Sequence, residues 1–237
     1  MEELTLAIER LQAENKALLK LASHDMRSPL NKIFALVNLL RMSDDSLSEE
    51  QLGYLQNMEL VLSDGLQNMR NLVDLRSLEN DKSPLNLEVL DIAGLVKKLV
   101  QQYLPVAGRK NIKIILESEE VSTISDKLIL SRILDQLIIN AIKFSPANSL
   151  ISLHLKGNKD SLTITITDGG PGINPAEQND LFQKFKPLSS LTTGGESKTG
   201  IGLFIAQRNA AKLGGKIAYD NDKGSSFILE LPFTSLA

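Results

Sequence analysis

The first 78 residues carry apolar side chains at the spacing of long amphipathic helices, and this pattern limits the possible folds more than any other feature. Between residues 2 and 42, apolar residues recur at steps of three, four and seven: Leu4, Ile8, Leu11, Leu18, Ala22, Met26, Ile33, Val37 and Leu40. Such steps place side chains on one stripe of a helix. A second stripe runs from Leu52 to about Leu78, so we predict two long helices joined by a short polar loop.

The loop between the helices contains a signal for the start of the second helix. Ser48 is followed three residues later by Gln51, a spacing that predicts a capping box. Two helices joined in this way form an antiparallel hairpin. The stripe is able to pack on the rest of the chain or on a second copy. Because it is longer than a compact domain would cover, we favour two copies that pair as a four-helix bundle.

The pattern changes after a polar stretch that ends at Pro84, so we predict two domains, 1–82 and 83–237. In the second domain we predict strands at Leu85–Leu90, Ile112–Glu117, Ser149–Leu155, Leu162–Asp168, Lys216–Asp220 and Ser226–Leu231, and helices at Ile92–Tyr103, Asp126–Phe144 and Ile201–Leu213. This mixture predicts a two-layer α/β sandwich, and the chain as a whole is assigned to the α+β class.

Composition narrows the function classes. The net charge of −3 argues against general nucleic-acid binding. The chain has no cysteine, which excludes disulfides and thiolate metal sites and favours a cytoplasmic location. No apolar run approaches the roughly 18 residues that span a bilayer, so we expect no membrane contact by this segment.

One of the two histidines, His24, lies within the first helical pattern. It is two residues from both Ala22 and Met26, about 200° around the helix from each, so we expect its ring to point away from the apolar stripe. Asp25 follows it directly. The helix alone leaves two interpretations open, an ordinary surface histidine and a reactive one. The other histidine, His154, is predicted to be a surface residue of a strand.

Two features of the second domain suggest a ligand site. Asn140 interrupts an apolar helix, and an amide in such a position needs a partner. A local hydrogen bond or cap is one explanation, and a metal or a ligand is the other. Asp168 ends a strand and is followed by Gly169, Gly170 and Gly172. Its carboxylate is able to accept a hydrogen bond from the amine of an adenine, although a plain turn explains the same residues.

Two more features follow in the chain. Residues 187–198 form a long polar stretch rich in Ser, Thr and Gly, which is typical of a lid or a disordered segment. Gly200 and Gly202 then open a helix, where free N–H groups and the positive end of the dipole suit a phosphate. Each feature alone is weak.

Together and in this order, the motifs resemble those of the sensor histidine kinases of two-component systems, over essentially the whole chain. Ser23–Leu30 resembles their phosphoacceptor box, Leu137–Phe144 their N box, Asp168–Gly172 their first glycine box, Phe182–Phe185 their F box and Thr199–Leu203 their second glycine box. The resemblance implies a dimerisation and phosphoacceptor domain, followed by an ATP-binding sandwich of the kind shared with gyrase and heat-shock chaperones.

The resemblance also implies an activity and its residues. ATP would phosphorylate His24, and the phosphoryl group would pass to an aspartate of a response-regulator receiver domain. Asp25 would hold or take the proton of the imidazole, and Ser28 occupies the position linked to the reverse phosphatase reaction. The residues implied for ATP are Asn140, Lys143, Asp168, Gly170, Gly172, Thr199, Gly200, Gly202 and Leu203, with Asn140 also a ligand of Mg²⁺. The implied partners are a second copy of the chain and an upstream sensor domain.

Three residues depart from the family pattern. Gln136 replaces the first Asn of the N box, Gly169 replaces the usual Asn after the aspartate, and Lys198 stands where the second glycine box often starts with Gly. We expect slower or more tightly regulated turnover as a result. The alternatives are an ATPase of the same superfamily without a phosphohistidine, a dimerising scaffold with a vestigial pocket, and a predominantly phosphatase activity.

Overall fold

The structure is a computed structural model that describes residues 26, 28–41, 47–80, 84–158, 161–190, 192–193, 199–221 and 225–232. The chain divides into two compact units, Met1–Asp81 and Lys82–Ala237. The predicted residues His24 and Asp25 lie outside the described residues, as does Lys198.

The described part of the first unit is helical. Helix α1 covers residues 28–41 and helix α2 covers Glu49–Asn80. The N–H of Ser48 donates to Gln51 Oε1 at 2.9 Å, and the N–H of Gln51 donates to Ser48 Oγ at 3.2 Å. Both hydrogen bonds of the predicted capping box are therefore formed, and α2 begins where the sequence predicted.

Contacts between the two helices bury a small apolar cluster of Val37, Leu55 and Leu62. Beside it, Arg41 Nη1 lies 3.5 Å from Glu59 Oε1, and the side chain of Glu59 is fully buried. A buried carboxylate needs such a partner, because an unpaired charge is costly away from water. Met58 of α2 is 51% exposed and does not belong to this cluster.

The second unit contains two sheets. The larger one has five strands: β2 (Lys113–Ser118), β4 (Leu150–Gly157), β5 (Ser161–Asp168), β6 (Lys216–Asp220) and β7 (Ser225–Pro232). Their order in the sheet is β2-β4-β5-β7-β6, with β2 and β4 parallel and the other pairs antiparallel. The smaller sheet pairs β1 (Leu87–Asp91) with β3 (Ser122–Asp126). The sequence did not predict β3, because its buried positions are Thr123, Ser125 and Asp126 rather than apolar residues.

Three α-helices accompany the sheets: α3 (Ile92–Gly108), α4 (Lys127–Phe144) and α5 (Gly202–Lys212), and Pro175–Asp180 form a short 3₁₀ helix. Helix α3 continues past the predicted end at Tyr103 and contains Pro105. Asp126 is the N-cap of α4 rather than its first residue, since its side chain accepts the N–H of Ile129 at 3.0 Å.

The core lies between the five-stranded sheet and the helices. Along β5, buried residues alternate with partly exposed ones, and the fully buried members Leu162, Ile164 and Ile166 belong to the same cluster as Leu134 and Ile138 of α4. One face of the sheet is therefore covered and the other is not, as in a two-layer fold. The predicted α+β class is confirmed, whereas the four-helix bundle stays a prediction. Within the described ranges, no helix has the length and apolar character needed to cross a membrane.

Candidate functional site

Asp168 is a buried acid of the second unit with a raised pKa. It is the last residue of β5 and only 2% exposed. Its Oδ1 accepts the N–H of Gly170 at 2.8 Å, and the hydroxyl of Ser225, opposite it on β7, also donates to the carboxylate. Burial raises the pKa of Asp168 to about 6, although both hydrogen bonds act to lower this pKa. A carboxyl held this way keeps hydrogen-bonding capacity for a ligand.

We expect the burial of Asp168 to make stability depend on pH. The folded chain keeps this proton up to about pH 6, whereas the carboxyl of an unfolded chain loses it near the ordinary pKa of 3.8. The stability that the protonated Asp168 contributes to the folded chain is therefore fully present below pH 3.8 and is lost as pH rises through about 6. A shift of this size corresponds to roughly 3 kcal/mol of unfolding free energy.

The measurement is urea unfolding of the native chain and of Asp168→Asn between pH 4 and about pH 7.5. The native chain should lose stability relative to the variant across this range. Two stability curves that stay parallel would contradict the expectation, because the variant lacks the titrating group and shares all the others.

The loop after Asp168 approaches the end of α4 closely. A Cβ atom at Gly170 would lie 2.6 Å from Asp168 Oδ1 and 2.9 Å from the carbonyl oxygen of Phe144, so only glycine fits there. Gly172 has a φ of +73°, and a Cβ atom there would collide with the side chain of Asn221. Backbone rather than side chains therefore lines this part of the site.

Tyr219 of β6 holds the same loop from the other side. The N–H of Ile173 donates to Tyr219 Oη at 2.9 Å, and the hydroxyl donates onward to Asn221 Oδ1 at 2.9 Å. The Tyr219 ring packs against Phe227 of β7, with ring centroids 5.2 Å apart. The position of the glycine loop thus depends on both β6 and β7.

The start of α5 meets α4 at a second glycine. A Cβ atom at Gly202, the first residue of α5, would lie 2.6 Å from Oε1 of the buried Gln136. Gln136, which replaces the first Asn of the N box, therefore contacts Gly202 of the second glycine box. Ile201 is the N-cap residue of α5, and its side chain makes no capping hydrogen bond to the first N–H groups of the helix.

Gly200 contacts the segment that precedes the long polar stretch 187–198. Its φ is +64°, and a Cβ atom there would lie 2.6 Å from the backbone nitrogen of Lys186. The N–H of Phe185 donates to the carbonyl oxygen of Gly200 at 3.2 Å. The chain segments before and after the loop are therefore in contact at the start of α5.

The remaining predicted residues take the following places. Asn140 and Lys143 are half-buried on α4, Thr199 is half-buried before α5, and Leu203 packs against the core. Ser28 belongs to the first unit, where it is exposed on α1. The structure thus brings the residues of the second unit to one region formed by the end of β5, α4 and the start of α5.

Sequence reasoning missed Ser225 and Tyr219. Ser225 occupies a buried position of β7 where the alternation Phe227, Leu229, Leu231 predicts an apolar residue. A serine at such a position is a signal that a polar partner lies opposite, but the predicted strand began one residue later. Nothing in the local pattern marks Tyr219, because its partner Ile173 is 46 residues away.

The site lacks a dedicated set of protein ligands for a metal. No group of three or more His, Asp or Glu side chains that could hold an ion occurs among the residues that the structure describes. A magnesium ion accompanying a nucleotide usually takes few ligands from the protein and the rest from phosphates and water. One amide oxygen, such as that of Asn140, fits this pattern.

Comparisons with known proteins agree with this geometry. Residues 125–235 match the family of histidine kinase-, DNA gyrase B- and HSP90-like ATPases. The chain is 28% identical to the swarming motility regulation sensor protein RssA of Serratia marcescens over 98% of its own length, and 31% identical to the sensor histidine kinase RppB of Synechocystis over 91%. It spans about half the length of each, 50% and 48% respectively.

Solved structures give the same result. Full-length ShkA in complex with AMPPNP superimposes with a TM-score of 0.67 at 26% identity, covering 93% of this chain and 46% of ShkA. The Acinetobacter baumannii histidine kinase AdeS shares the fold, with a TM-score of 0.61 at 22% identity, over 90% of this chain and 98% of that one. Residues 125–235 therefore match the histidine kinase-, DNA gyrase B- and HSP90-like ATPase family, and the chain as a whole is similar to sensor histidine kinases.

Proposed function

We propose that the chain is the kinase portion of a two-component sensor, which phosphorylates His24 from ATP and passes the phosphoryl group to an aspartate of a response regulator. Residues 1–82 act as the dimerisation and phosphoacceptor domain, and residues 83–237 as the catalytic domain. The observation that carries this proposal is the extent of the similarity, which covers 98% of the chain for the sensor protein RssA and 91% for the sensor histidine kinase RppB. It therefore includes the segment with His24 as well as the ATPase domain.

ATP binds, in this proposal, along the region between Asp168 and the start of α5. The carboxylate of Asp168 accepts a hydrogen bond from the adenine amine, which is a donor. Gly170 and Gly172 let the backbone approach the base, because side chains there would collide with their surroundings. The N–H groups at Gly200, Gly202 and Leu203 face the phosphates, as helix N-termini do for anions.

Asn140, Lys143 and Thr199 complete the phosphate end of the site. The amide oxygen of Asn140 is the proposed protein ligand of Mg²⁺, which neutralises charge on the phosphates when it is bound. The ammonium of Lys143, three residues further along α4, interacts with phosphate oxygens. Gln136 supports this end indirectly, since it packs against Gly202.

The chemical step is a transfer of the γ-phosphoryl group. A neutral imidazole, the main form near pH 7, attacks the γ-phosphorus through Nε2, and the bond to the bridging oxygen breaks to release ADP. Asp25 holds or takes the Nδ1 proton and stabilises the positive charge that develops on the ring. The phosphoryl group then moves from Nε2 to an aspartate carboxylate of the receiver domain.

The test is incubation of the purified chain with γ-labelled ATP and Mg²⁺, followed by acid and alkali treatment of the labelled protein. A phosphoramidate is lost in acid and kept in alkali, so acid-labile label on the chain supports the proposal. Release of labelled phosphate without labelled protein would instead indicate an ATPase of the same superfamily. Neither label nor ATP-dependent thermal stabilisation would indicate a scaffold.

We also infer that the first unit pairs with a second copy of the chain. Apolar side chains that are between 47% and 70% exposed recur at helical spacing on both helices: Ile33, Leu36 and Leu40 on α1, and Tyr54, Met58 and Val61 on α2. Exposed apolar stripes of this kind are typical of an interface. A four-helix bundle would cover them.

Val61→Glu is therefore expected to weaken dimerisation by about 100-fold, since it would bury a charge without a partner. Sedimentation equilibrium over a range of concentrations measures this, with Val61→Ile as the apolar control that keeps the dimer. A native chain that is monomeric at all concentrations, or a Glu variant that dimerises as well as the native chain, would contradict the inference.

A phosphatase activity toward the phosphorylated regulator is a second candidate. One relative, 27% identical over 95% of this chain, is named an autoinducer 2 sensor kinase/phosphatase. Ser28 is exposed on α1, one turn after His24 in the sequence, where a hydroxyl would be accessible to a docked partner. Loss of label from a phosphorylated receiver domain in the presence of the chain would support this activity.

A further inference from the structure

The glycine loop after Asp168, residues 169–173, is tied to the rest of its domain at both ends. At its start, the N–H of Gly170 donates to Asp168 Oδ1 at 2.8 Å. At its end, the N–H of Ile173 donates to Tyr219 Oη at 2.9 Å, and the side chain of Ile173 is buried in the core. The first contact joins residues two positions apart, whereas the second joins residues 46 positions apart. Tyr219 therefore determines where the end of the loop lies relative to the sheet.

The ring of Tyr219 is held by a row of residues that crosses three strands. Tyr219 of β6 is the register partner of Phe227 on β7, and Phe227 is the partner of Ile166 on β5. Phe227 and Ile166 are almost completely buried, and the Tyr219 ring packs against the same core. Ile166 precedes Asp168 by two positions, and residues two apart on a strand share a face. The tyrosine thus lies one row from the buried acid, on the same face of the sheet.

The hydroxyl of Tyr219 has a fixed direction. Its proton is donated to Asn221 Oδ1 at 2.9 Å, which leaves the oxygen lone pairs for the N–H of Ile173. Asn221 also lies against the loop itself, because a Cβ atom at Gly172 would collide with its side chain. A phenylalanine at position 219 would keep the ring and its packing but would remove the acceptor of the Ile173 N–H. A half-buried N–H without a partner is costly, so the end of the loop would shift toward water.

We propose that Tyr219 is a positioning residue for the nucleotide base, an inference that rests on the proposed function. Its hydroxyl holds the end of the glycine loop, so that the backbone of Gly170 and Gly172 stays at one distance from the carboxylate of Asp168. The base then enters a site whose floor is already in place, and little binding energy is lost in ordering the loop. Tyr219 does not touch the nucleotide in this scheme. It contributes to affinity for the base rather than to transfer of the phosphoryl group.

The experiment compares the native chain with Tyr219→Phe by calorimetric titration with a non-hydrolysable ATP analogue. The dissociation constant of the variant should rise by about tenfold, as the loss of one partly buried hydrogen bond predicts. The rate of labelling at saturating ATP should stay unchanged, because the phosphate end of the site is not altered. This split between affinity and rate distinguishes positioning of the base from a general loss of activity.

Tyr103→Phe is the matched control. The Tyr103 hydroxyl donates to Asp135 Oδ1 at 2.9 Å, so this variant also loses one partly buried hydrogen bond of a tyrosine. That bond joins α3 to α4 rather than the glycine loop to the sheet, and the dissociation constant should therefore keep its native value. Urea unfolding of each chain supplies the folded fraction by which the dissociation constants are corrected.

Hydrogen exchange of the Ile173 N–H without nucleotide provides a second readout, which should be faster in Tyr219→Phe. Faster hydrogen exchange with an unchanged dissociation constant overturns the proposal, because the loop would then move without consequence for the base. Unchanged hydrogen exchange overturns it as well, since the loop would not depend on the hydroxyl. A native chain that binds no nucleotide refutes the proposed function instead, whereas native binding that Tyr219→Phe leaves unaltered refutes only the role of Tyr219.

Discussion

Asp168→Asn should abolish useful nucleotide binding while making the folded chain more stable at neutral pH. The change keeps the size and shape of the side chain, so the fold tolerates it. In the native chain, Oδ1 accepts from Gly170 and the carboxylate also accepts from Ser225. An asparagine that keeps the Gly170 hydrogen bond has its NH₂ group in the place of the second carboxylate oxygen, which is the atom proposed to accept from the adenine amine. Donor then faces donor at the base, and affinity should fall by about 100-fold or more.

The gain in stability has a separate origin. Burial raises the pKa of Asp168 to about 6, so at neutral pH the folded chain holds an ionised carboxylate that prefers to be protonated. A neutral amide avoids this cost, which is roughly 2 to 3 kcal/mol of unfolding free energy. Calorimetric titration with ATP and urea unfolding at pH 7.5 measure the two effects.

The control for both measurements is Glu120→Gln, which removes an exposed carboxylate of the same unit. It should change neither affinity nor stability appreciably, since exposed charges contribute little. An Asp168→Asn variant that binds ATP like the native chain would rule out the proposed role of Asp168. A variant that loses binding because it is unfolded would be recognised by its urea unfolding curve.

His24→Gln should eliminate phosphorylation completely while leaving ATP binding intact. Glutamine is close to histidine in size and polarity but offers no imidazole nitrogen as a nucleophile. Because the proposed ATP site belongs to the second unit, its affinity should not depend on residue 24. Labelling with γ-labelled ATP and titration with a non-hydrolysable analogue measure the two properties.

The chain offers a matched control for this variant, because it contains only two histidines. His154 is exposed on β4, where its Nδ1 lies 3.1 Å from Glu117 Oε2, as predicted for a surface residue. His154→Gln should therefore keep full labelling. Label that persists in His24→Gln and disappears in His154→Gln would assign the phosphoacceptor to the wrong unit and refute the proposed mechanism.

The fold of the second unit was largely predictable because its signals are local. Six of its strands have apolar alternation that can be read directly from the chain. In the first unit, the capping box at Ser48 likewise shows where α2 begins. Strand β3 was missed because its buried residues are polar, so it has no apolar alternation to read. Asp126, for example, is buried because its side chain caps α4 and also accepts the N–H of Asn86 at 2.9 Å.

The candidate site was predictable only in part. Asp168, Gly170, Gly172 and Gly202 belong to short motifs, and glycines next to a buried acid are visible in a sequence. The residues that support them come from other elements: Ser225 from β7, Tyr219 from β6 and Gln136 from α4. Their role depends on the partner that the fold places beside each of them.

By itself, the sequence determined the helical periodicity of the first unit, the strand alternation of the second and the order of the motifs, because each depends on residues close together in the chain. Only the tertiary structure decided that Asp168 is buried against Ser225, that a side chain at Gly202 would meet Gln136, and that Lys110 and Thr193 meet at the end of α4. Lys110 and Thr193 are 83 positions apart. Such contacts follow from packing of the sheet and helices around one core, and no local pattern encodes them.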